Sequence, residues 1–193
     1  MKQARKEYRE HTRTLDVRDL VFLDESGIDT RMVRRYGRAP GGARAHGSAP
    51  FGTYQRLTVL GALSLEGLLA PMTTQAATDT DVFLAYLDQV LIPELVKKKP
   101  GALVIMDNLK PHKVADVRTK LEAAGLKLLY LPPYSPDFSP IEPAWSKIKT
   151  YLRKVAARTL EALEEALLPA LDAITPQDAA GFFAHCGYML PAH

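Results

Sequence analysis

Two short apolar runs, each followed by an aspartate, constrain the fold of this chain more than any other feature. The runs are LVFLDE at residues 20–25 and ALVIMDN at residues 102–108. Their length and composition are typical of buried strands. Asp24 and Asp107 stand at the carboxyl ends of these strands. If the strands are parallel neighbours, both side chains emerge at one edge of the sheet, where α/β proteins usually build their sites.

The remaining pattern predicts an α/β domain. Two strands are expected around a turn at residues 66–67, followed by a helix with Thr80 as its N-cap. A helix that ends at Gly125 precedes a strand at residues 126–131, and three helical segments follow from Ile141 onwards. Strands that are linked through helices are normally parallel. We therefore expect a mixed central β-sheet flanked by α-helices.

Length and composition fit one globular domain outside any membrane. The 193 residues are 47% hydrophobic and 24% charged, which provides enough apolar material for a substantial core. The apolar runs fall short of the ~18 residues of a membrane span, and the N-terminus has no apolar signal-peptide core. A single cysteine excludes an internal disulfide and fits a reducing compartment. These features predict a cytoplasmic protein with a charged lead-in at residues 1–18 and a domain at residues 19–193.

Basic residues are concentrated in two blocks that contain no acidic residue. Residues 31–56 carry six arginines, and residues 146–160 carry five lysines and arginines. Segregated positive charge is typical of proteins that bind a polyanion, although a solvated basic surface has the same composition. The candidate DNA contacts are Arg31, Arg34, Arg35, Arg38, Arg44, Lys147, Lys149 and Arg153.

A third candidate acid, Glu142, follows a proline-rich segment. Residues 131–143 contain five prolines, and an amphipathic helix begins just after Pro140. Because proline fixes φ and removes a backbone donor, this segment predicts a rigid loop that holds Glu142 in place. Glu142 lies at the margin of the apolar helix face. That face is predicted to consist of Ile141, Trp145, Ile148, Leu152 and Val155.

Three converging carboxylates without an evident nucleophile indicate a site for a hard divalent cation. Carboxylate oxygens suit Mg²⁺ or Mn²⁺, and the sequence has no histidine and cysteine cluster with zinc spacing. Two such ions ~3.5–4 Å apart can activate water or a 3′-hydroxyl and stabilise the departing oxygen in a displacement at phosphorus. A structural role remains open for each acid, since aspartate often ends strands and a first-turn glutamate suits the helix dipole.

The segments FLDESG, IMDNLKPHK and LPPYSPDFSPIEPAWSKIK closely resemble the three catalytic blocks of mariner-type transposases, particularly the bacterial insertion-sequence branch. Asp107 and Glu142 are separated by 34 residues, which matches the spacing typical of that branch. The resemblance implies an RNase H-like fold in which Asp24, Asp107 and Glu142 bind two Mg²⁺ or Mn²⁺ ions. Asn108 and His112 fall where the family has polar neighbours of the second aspartate, and no chemical step is assigned to them.

The resemblance also implies an activity and partners. Family members free a 3′-hydroxyl at the transposon end, and this hydroxyl attacks target DNA, usually at a TA dinucleotide. They act as dimers or larger synaptic assemblies. Full-length relatives carry a helix-turn-helix region that binds the inverted repeats, and we find no recognition helix in residues 1–18. A separate helix-turn-helix partner could supply this region to a bacterial, nucleoid-associated enzyme.

Two other interpretations remain open from the sequence. One is a different RNase H-like nuclease that acts on RNA–DNA hybrids or branched DNA, and the proline block argues against it. The other is a truncated, non-catalytic transposase that binds DNA or a partner transposase. Retention of all three carboxylates disfavours the second interpretation, because such a protein needs none of them.

Overall fold

A five-stranded mixed β-sheet forms the centre of the computed structural model, which describes residues 2–76 and 78–191. The strands are β1 (Leu20–Asp29), β2 (Arg56–Ser64), β3 (Gly67–Thr74), β4 (Leu103–Met106) and β5 (Lys127–Tyr130). Their order across the sheet is β3-β2-β1-β4-β5. The strands β1, β2 and β3 pair antiparallel, whereas β4 pairs parallel with both β1 and β5. The predicted mixed sheet is confirmed.

The described residues also form seven α-helices, which pack on both faces of the sheet. The helices are α1 (Lys2–Thr12), α2 (Thr80–Tyr86), α3 (Ile92–Lys98), α4 (Ala115–Ala123), α5 (Ile141–Val155), α6 (Leu160–Asp172) and α7 (Pro176–His185). A π-helical segment, Leu87–Leu91, joins α2 to α3. Within the described part of the chain, no helix has the length and apolar character needed to cross a bilayer.

Each face of the sheet has its own apolar core, because side chains alternate along a strand. In β1, Leu20 and Phe22 belong to the core shared with α5, α6 and α7. Val21 and Leu23 belong to the core shared with α2, α3 and α4. A strand that is buried on both faces needs a continuous apolar run, and this explains the LVFL sequence.

Two helix ends illustrate how far local sequence determines the elements. The predicted end of α4 is confirmed, since Gly125 follows it with a φ of 74°, a left-handed conformation that glycine adopts without strain. The N-cap of α2 is Asp79, and the prediction of Thr80 is wrong by one residue. The Asp79 carboxylate accepts a hydrogen bond from the Val82 backbone N–H at 2.9 Å, which satisfies a free donor of the first turn.

The apolar face of α5 packs against the sheet. Its buried side chains are Ile141, Ala144, Trp145, Ile148 and Leu152. Val155 was predicted to belong to this face, but it is 47% exposed. The helix ends at this residue, and Ala156 turns into the left-handed region with a φ of 57°.

Helix α1 packs on the proline-rich segment. The Tyr8 ring stacks on Phe138 with a centroid distance of 5.5 Å and an interplanar angle of 7°. The Tyr8 hydroxyl lies 2.9 Å from the Tyr188 hydroxyl, which donates a hydrogen bond to the Phe138 carbonyl. Arg5 forms two hydrogen bonds to the Asp137 carboxylate, at 2.9 and 2.6 Å. The charged N-terminal helix therefore supports the loop that leads to Glu142.

Candidate active site

One cavity of about 440 Å³ lies at the edge of the sheet where β1 and β4 stop pairing. The β1–β4 ladder extends only to Phe22, two residues before Asp24, and β4 ends immediately before Asp107. Both aspartates line the cavity, as does Glu142 in the first turn of α5. The structure thus brings the three sequence-predicted acids together around one space. Strand β1 continues past Asp24 to Asp29, because β2 still pairs with it there.

Asp24 is held by a side chain from α5. The indole N–H of Trp145 donates a hydrogen bond to Asp24 Oδ2 at 3.1 Å. Gly61, the β2 partner of Asp24, leaves room for this contact, because a Cβ at position 61 would lie 3.2 Å from the indole ring. Burial and the nearby negative charge of Glu142 raise the pKa of Asp24 to about 7. Sequence reasoning placed Trp145 in the core but missed this hydrogen bond.

Asp107 is held by a histidine from the short 3₁₀ turn that follows β4. His112 Nδ1 lies 2.7 Å from Asp107 Oδ1, and the Leu109 backbone N–H donates to the same oxygen at 3.0 Å. Burial acts to raise the pKa of Asp107, but these hydrogen bonds outweigh it and hold the pKa below its usual value. An ionised carboxylate can only accept a hydrogen bond, so the contact with ionised Asp107 uses the Nδ1–H tautomer of His112.

His112 is a structural element of the site and not a surface residue. Its side chain is 1% exposed, and its ring lies 4.3 Å from the ring of Phe83 in α2. The Tyr130 hydroxyl donates to the His112 carbonyl. The Asn108 side-chain amide donates to the Leu131 carbonyl, which ties the end of β4 to the start of the proline-rich segment. In the sequence, Asn108 and His112 are marked only by their position shortly after Asp107. This position does not distinguish a residue that supports the site from an ordinary loop residue.

Glu142 is exposed, and Lys149 lies two turns further along the same helix. The Glu142 backbone N–H donates to the Ser139 carbonyl at 3.1 Å, so the proline-rich segment fixes the start of the helix. Burial lowers the pKa of Lys149, and the charges of Glu142 and Asp24 oppose this change. A half-buried ammonium group therefore lies within electrostatic reach of two of the three acids.

The cavity offers carboxylate oxygens, which are ligands that divalent metal ions bind. Three carboxylates face one space, and their mutual repulsion contributes to the raised pKa of Asp24. A cation among them would remove this repulsion. Among the residues that the structure describes, no three histidine, cysteine, aspartate or glutamate side chains are arranged closely enough to hold one ion. Trp145 and His112 each form a hydrogen bond to one oxygen of Asp24 and Asp107, respectively, and so orient these two carboxylates.

The two basic blocks of the sequence meet in a shallow groove between the β1–β2 loop and α5. The loop contributes Arg34 and Arg35, and the helix contributes Lys147 and Arg153. Lys147 also pairs with Asp178, whose Oδ2 lies 2.7 Å from the lysine Nζ. Each block was predicted separately, and the fold joins them into one positively charged surface.

The other predicted DNA contacts are not part of the groove lining. Arg31 lies over the ring of Tyr54, with its guanidinium carbon 3.4 Å from the ring centroid. Arg38 and Arg44 are exposed in the β1–β2 loop, and Lys149 lies near Glu142. The basic surface consequently extends from the cavity along α5 to the loop.

The sheet order, the helices on both faces and the acids at the edge of β1 and β4 define an RNase H-like domain. The family model described as DDE superfamily endonuclease matches residues 19–164. The chain therefore belongs to the DDE superfamily endonucleases. No curated protein matches the sequence.

Solved structures with the same fold include several of the Mos1 transposase. A pre-cleavage Mos1 transpososome matches with a TM-score of 0.74 and 15% identity, over 98% of this chain and 62% of that chain. The mariner Mos1 paired end complex with Mg matches with a TM-score of 0.76 and 15% identity, over 95% and 58%. The isolated catalytic domain of the Mos1 mariner transposase matches with a TM-score of 0.63 and 15% identity, over 98% and 93%.

These matches support the fold expected from the sequence. This chain covers about three fifths of the transposase chains in the two complexes, but nearly all of the isolated catalytic domain. At 15% identity, the similarity shows a shared fold and not a shared activity. The RNase H-like fold class is confirmed.

Proposed function

We propose that this chain is the catalytic domain of a mariner-type DNA transposase from the bacterial insertion-sequence branch. The observation that carries the proposal is that Asp24, Asp107 and Glu142 line one cavity in a domain with the fold of a transposase catalytic domain. The catalytic unit consists of residues 19–193, and the lead-in at residues 1–18 packs on it through α1. The reaction would be DNA cleavage at a transposon end, followed by attack of the freed 3′-hydroxyl on target DNA.

Asp24, Asp107 and Glu142 would hold Mg²⁺ or Mn²⁺, as two ions. Solved relatives in complexes with Mg and with Mn support this choice of metal. The ions would supply Lewis-acid activation of water or a 3′-hydroxyl and stabilisation of the departing oxygen. The chain itself supplies the orientation of the ligands, because Trp145 and His112 each hydrogen-bond one carboxylate. Loss of such a supporting contact typically lowers metal affinity or activity by roughly 10–100-fold.

The basic surface would hold the DNA during this reaction. Lys149 lies two turns along α5 from Glu142 and within electrostatic reach of Glu142 and Asp24, and its ammonium group would bind a phosphate of the DNA. Arg34, Arg35 and Arg153 continue this surface away from the cavity. Phosphate contacts of this kind position DNA without reading its sequence.

The proposal also covers how the protein assembles and how it recognises the ends of the transposon. The solved relatives include a paired-end complex and a strand transfer complex, which supports a homodimer or larger synaptic assembly on transposon ends and target DNA. A helix-turn-helix module, on the same or a separate chain, would read the inverted repeats, and TA is the expected target. The protein would act in the bacterial cytoplasm, at the nucleoid.

Nicking of supercoiled plasmid DNA tests the nuclease activity. Wild-type protein should nick the plasmid with Mn²⁺ and lose this activity in EDTA or after Asp107→Asn. Asp116→Asn is the matched control, because Asp116 is an exposed aspartate of α4 that does not line the cavity. Equal nicking by the wild type and Asp107→Asn would refute the assignment. Equal cutting of an RNA–DNA hybrid, without strand transfer, would instead support a hybrid-specific nuclease.

A further inference from the structure

One aromatic side chain in the cavity wall has no part in the mechanism above. Tyr134 is 90% exposed, and it lines the same cavity as the three carboxylates. Single exposed aromatic rings are common on protein surfaces, so exposure alone would mean little. The conformation of the backbone at this position gives a second and independent observation.

Tyr134 has a φ of 54°, in the left-handed region. This region is unfavourable for a bulky L-residue, whereas glycine adopts it freely. Strained residues persist only where the surrounding structure holds them, and they cluster at functional sites. The sequence therefore places a large ring at a position where a glycine would cost less.

The loop around Tyr134 is fixed by contacts that leave the ring free. The buried Ser135 hydroxyl donates to the Pro133 carbonyl at 3.2 Å and accepts from the Arg5 guanidinium at 2.8 Å. Phe138 is 2% exposed beneath Tyr8. The backbone on both sides is therefore anchored while the Tyr134 ring projects into solvent. A ring held in this way loses little conformational freedom when it binds a ligand.

The lining of the cavity combines two kinds of side chain, which indicates the class of ligand. The three carboxylates share the cavity with apolar side chains, which include Leu109, Leu131 and three prolines as well as the Tyr134 ring. A nucleotide offers a partner for each kind, because its phosphate binds through metal ions and the face of its base is flat and apolar. The volume of about 440 Å³ lies in the usual range for small organic ligands, ~300–1,000 Å³.

We infer that Tyr134 stacks on an unpaired nucleobase of the DNA next to the phosphate that reacts at the three carboxylates. The inference rests on the proposed function, because it takes DNA as the substrate of the cavity. A base within the duplex has both faces covered by its neighbours, so the base that stacks on Tyr134 is a flipped or terminal one. Aromatic stacking of this kind accepts any base, since every base presents a π-face.

A comparison of two DNA hairpins tests this inference. The hairpins are identical except that one carries a single unpaired thymine and the other carries an abasic site at that position. Fluorescence anisotropy in Ca²⁺ would measure their affinities. Wild-type protein should bind the thymine hairpin about tenfold more tightly, a typical effect of one stacked base. Tyr134→Ala should bind both hairpins equally, and Tyr134→Phe should keep the wild-type preference.

Two further variants separate stacking from misfolding and from general DNA binding. Tyr134→Gly relieves the left-handed strain, so it should resist urea better than the wild type while it loses the preference. Phe51→Ala removes a fully exposed aromatic ring of the β1–β2 loop that lines neither the cavity nor the basic groove, and it should keep the preference. An unchanged preference in Tyr134→Ala, or no preference in the wild type, would overturn the inference.

The nicking assay distinguishes failure of this inference from failure of the proposed function. Wild-type protein that nicks plasmid DNA but shows no preference for the thymine hairpin would keep the nuclease proposal and overturn stacking. A preference that depends on Tyr134, without metal-dependent nicking, would support stacking and overturn the nuclease proposal.

Discussion

Replacing Trp145 with phenylalanine should remove the support of Asp24 while most of the apolar packing remains. The indole N–H is the group that donates to Asp24 Oδ2, and phenylalanine has no donor. Trp145 is 3% exposed, so water does not easily take the place of the indole. The substitution therefore acts on both the stability of the domain and the orientation of a proposed metal ligand.

The size of the effect follows from two losses. Phenylalanine buries roughly 40 Å² less apolar surface, which costs about 1 kcal/mol. Loss of a hydrogen bond to a charged group costs a further ~1.5–3 kcal/mol. The free energy of unfolding should therefore fall by about 2.5–4 kcal/mol. Because Asp24 loses its orienting partner, Mn²⁺ affinity should fall about ten- to hundredfold.

Urea unfolding and calorimetric titration with Mn²⁺ would measure the two effects. Ile148→Val is the matched control, since Ile148 is a buried residue of the same helix. This control should lose about 1 kcal/mol of stability and keep the wild-type Mn²⁺ affinity. The reasoning would be refuted if Trp145→Phe bound Mn²⁺ as tightly as Ile148→Val does.

Three further predictions address the surroundings of the site. Tyr8→Ala should lower the free energy of unfolding by about 2–4 kcal/mol in urea, because the ring packs on Phe138; an unchanged value would show that α1 is not docked. Hydrogen bonds from Lys147 and Thr175 lower the pKa of Asp178 to about 2, so the stabilising contribution of its carboxylate is present above its usual pKa and is lost as the pH falls towards 2. Between the usual aspartate pKa and pH 2, the free energy of unfolding of Asp178→Asn should therefore fall less than that of the wild type. Equal falls, measured by urea unfolding at each pH, would contradict this. Arg34→Ala with Arg35→Ala should weaken DNA binding and flatten its dependence on salt, unlike Arg118→Ala in the exposed α4 ion pair. An unchanged salt slope in anisotropy measurements would remove this groove from the DNA path.

Much of the fold could be predicted because its signals are local. The apolar runs at β1 and β4 are continuous, as expected for strands that are buried on both faces. The helix between β4 and β5 makes their parallel pairing a consequence of chain direction. Asp24 and Asp107 lie at one edge of the sheet because β1 and β4 are parallel neighbours, a condition that the sequence left open and the structure meets.

Details that depend on the tertiary structure were not predictable. Asp79 and Thr80 are adjacent and both make good N-caps, so the sequence could not decide between them. Val155 continues the helical period of the apolar face, but the helix ends there and the side chain is exposed. Helical periodicity identifies which face of a helix is apolar, but it does not show how far along the helix that face is buried by the rest of the domain.

The supporting contacts of the candidate site were missed for a related reason. The Trp145–Asp24 hydrogen bond joins residues that are 121 positions apart in sequence. The His112 contact with Asp107 is close in sequence, but it requires the 3₁₀ turn and the buried ring position beside Phe83. A lone tryptophan in an apolar stripe and a histidine in a loop carry no sign of such roles.

The most direct test of the central claim is the binding of Mn²⁺ to the three carboxylates, measured by the loss of the free Mn²⁺ signal in electron paramagnetic resonance. We predict that the wild type binds Mn²⁺ and that Asp24→Asn, Asp107→Asn and Glu142→Gln each weaken binding by about tenfold or more. Glu161→Gln, which changes an exposed first-turn glutamate of α6, should bind as the wild type does. Equal Mn²⁺ binding by the wild type and all three cavity variants would contradict the claim that this cavity is the metal site.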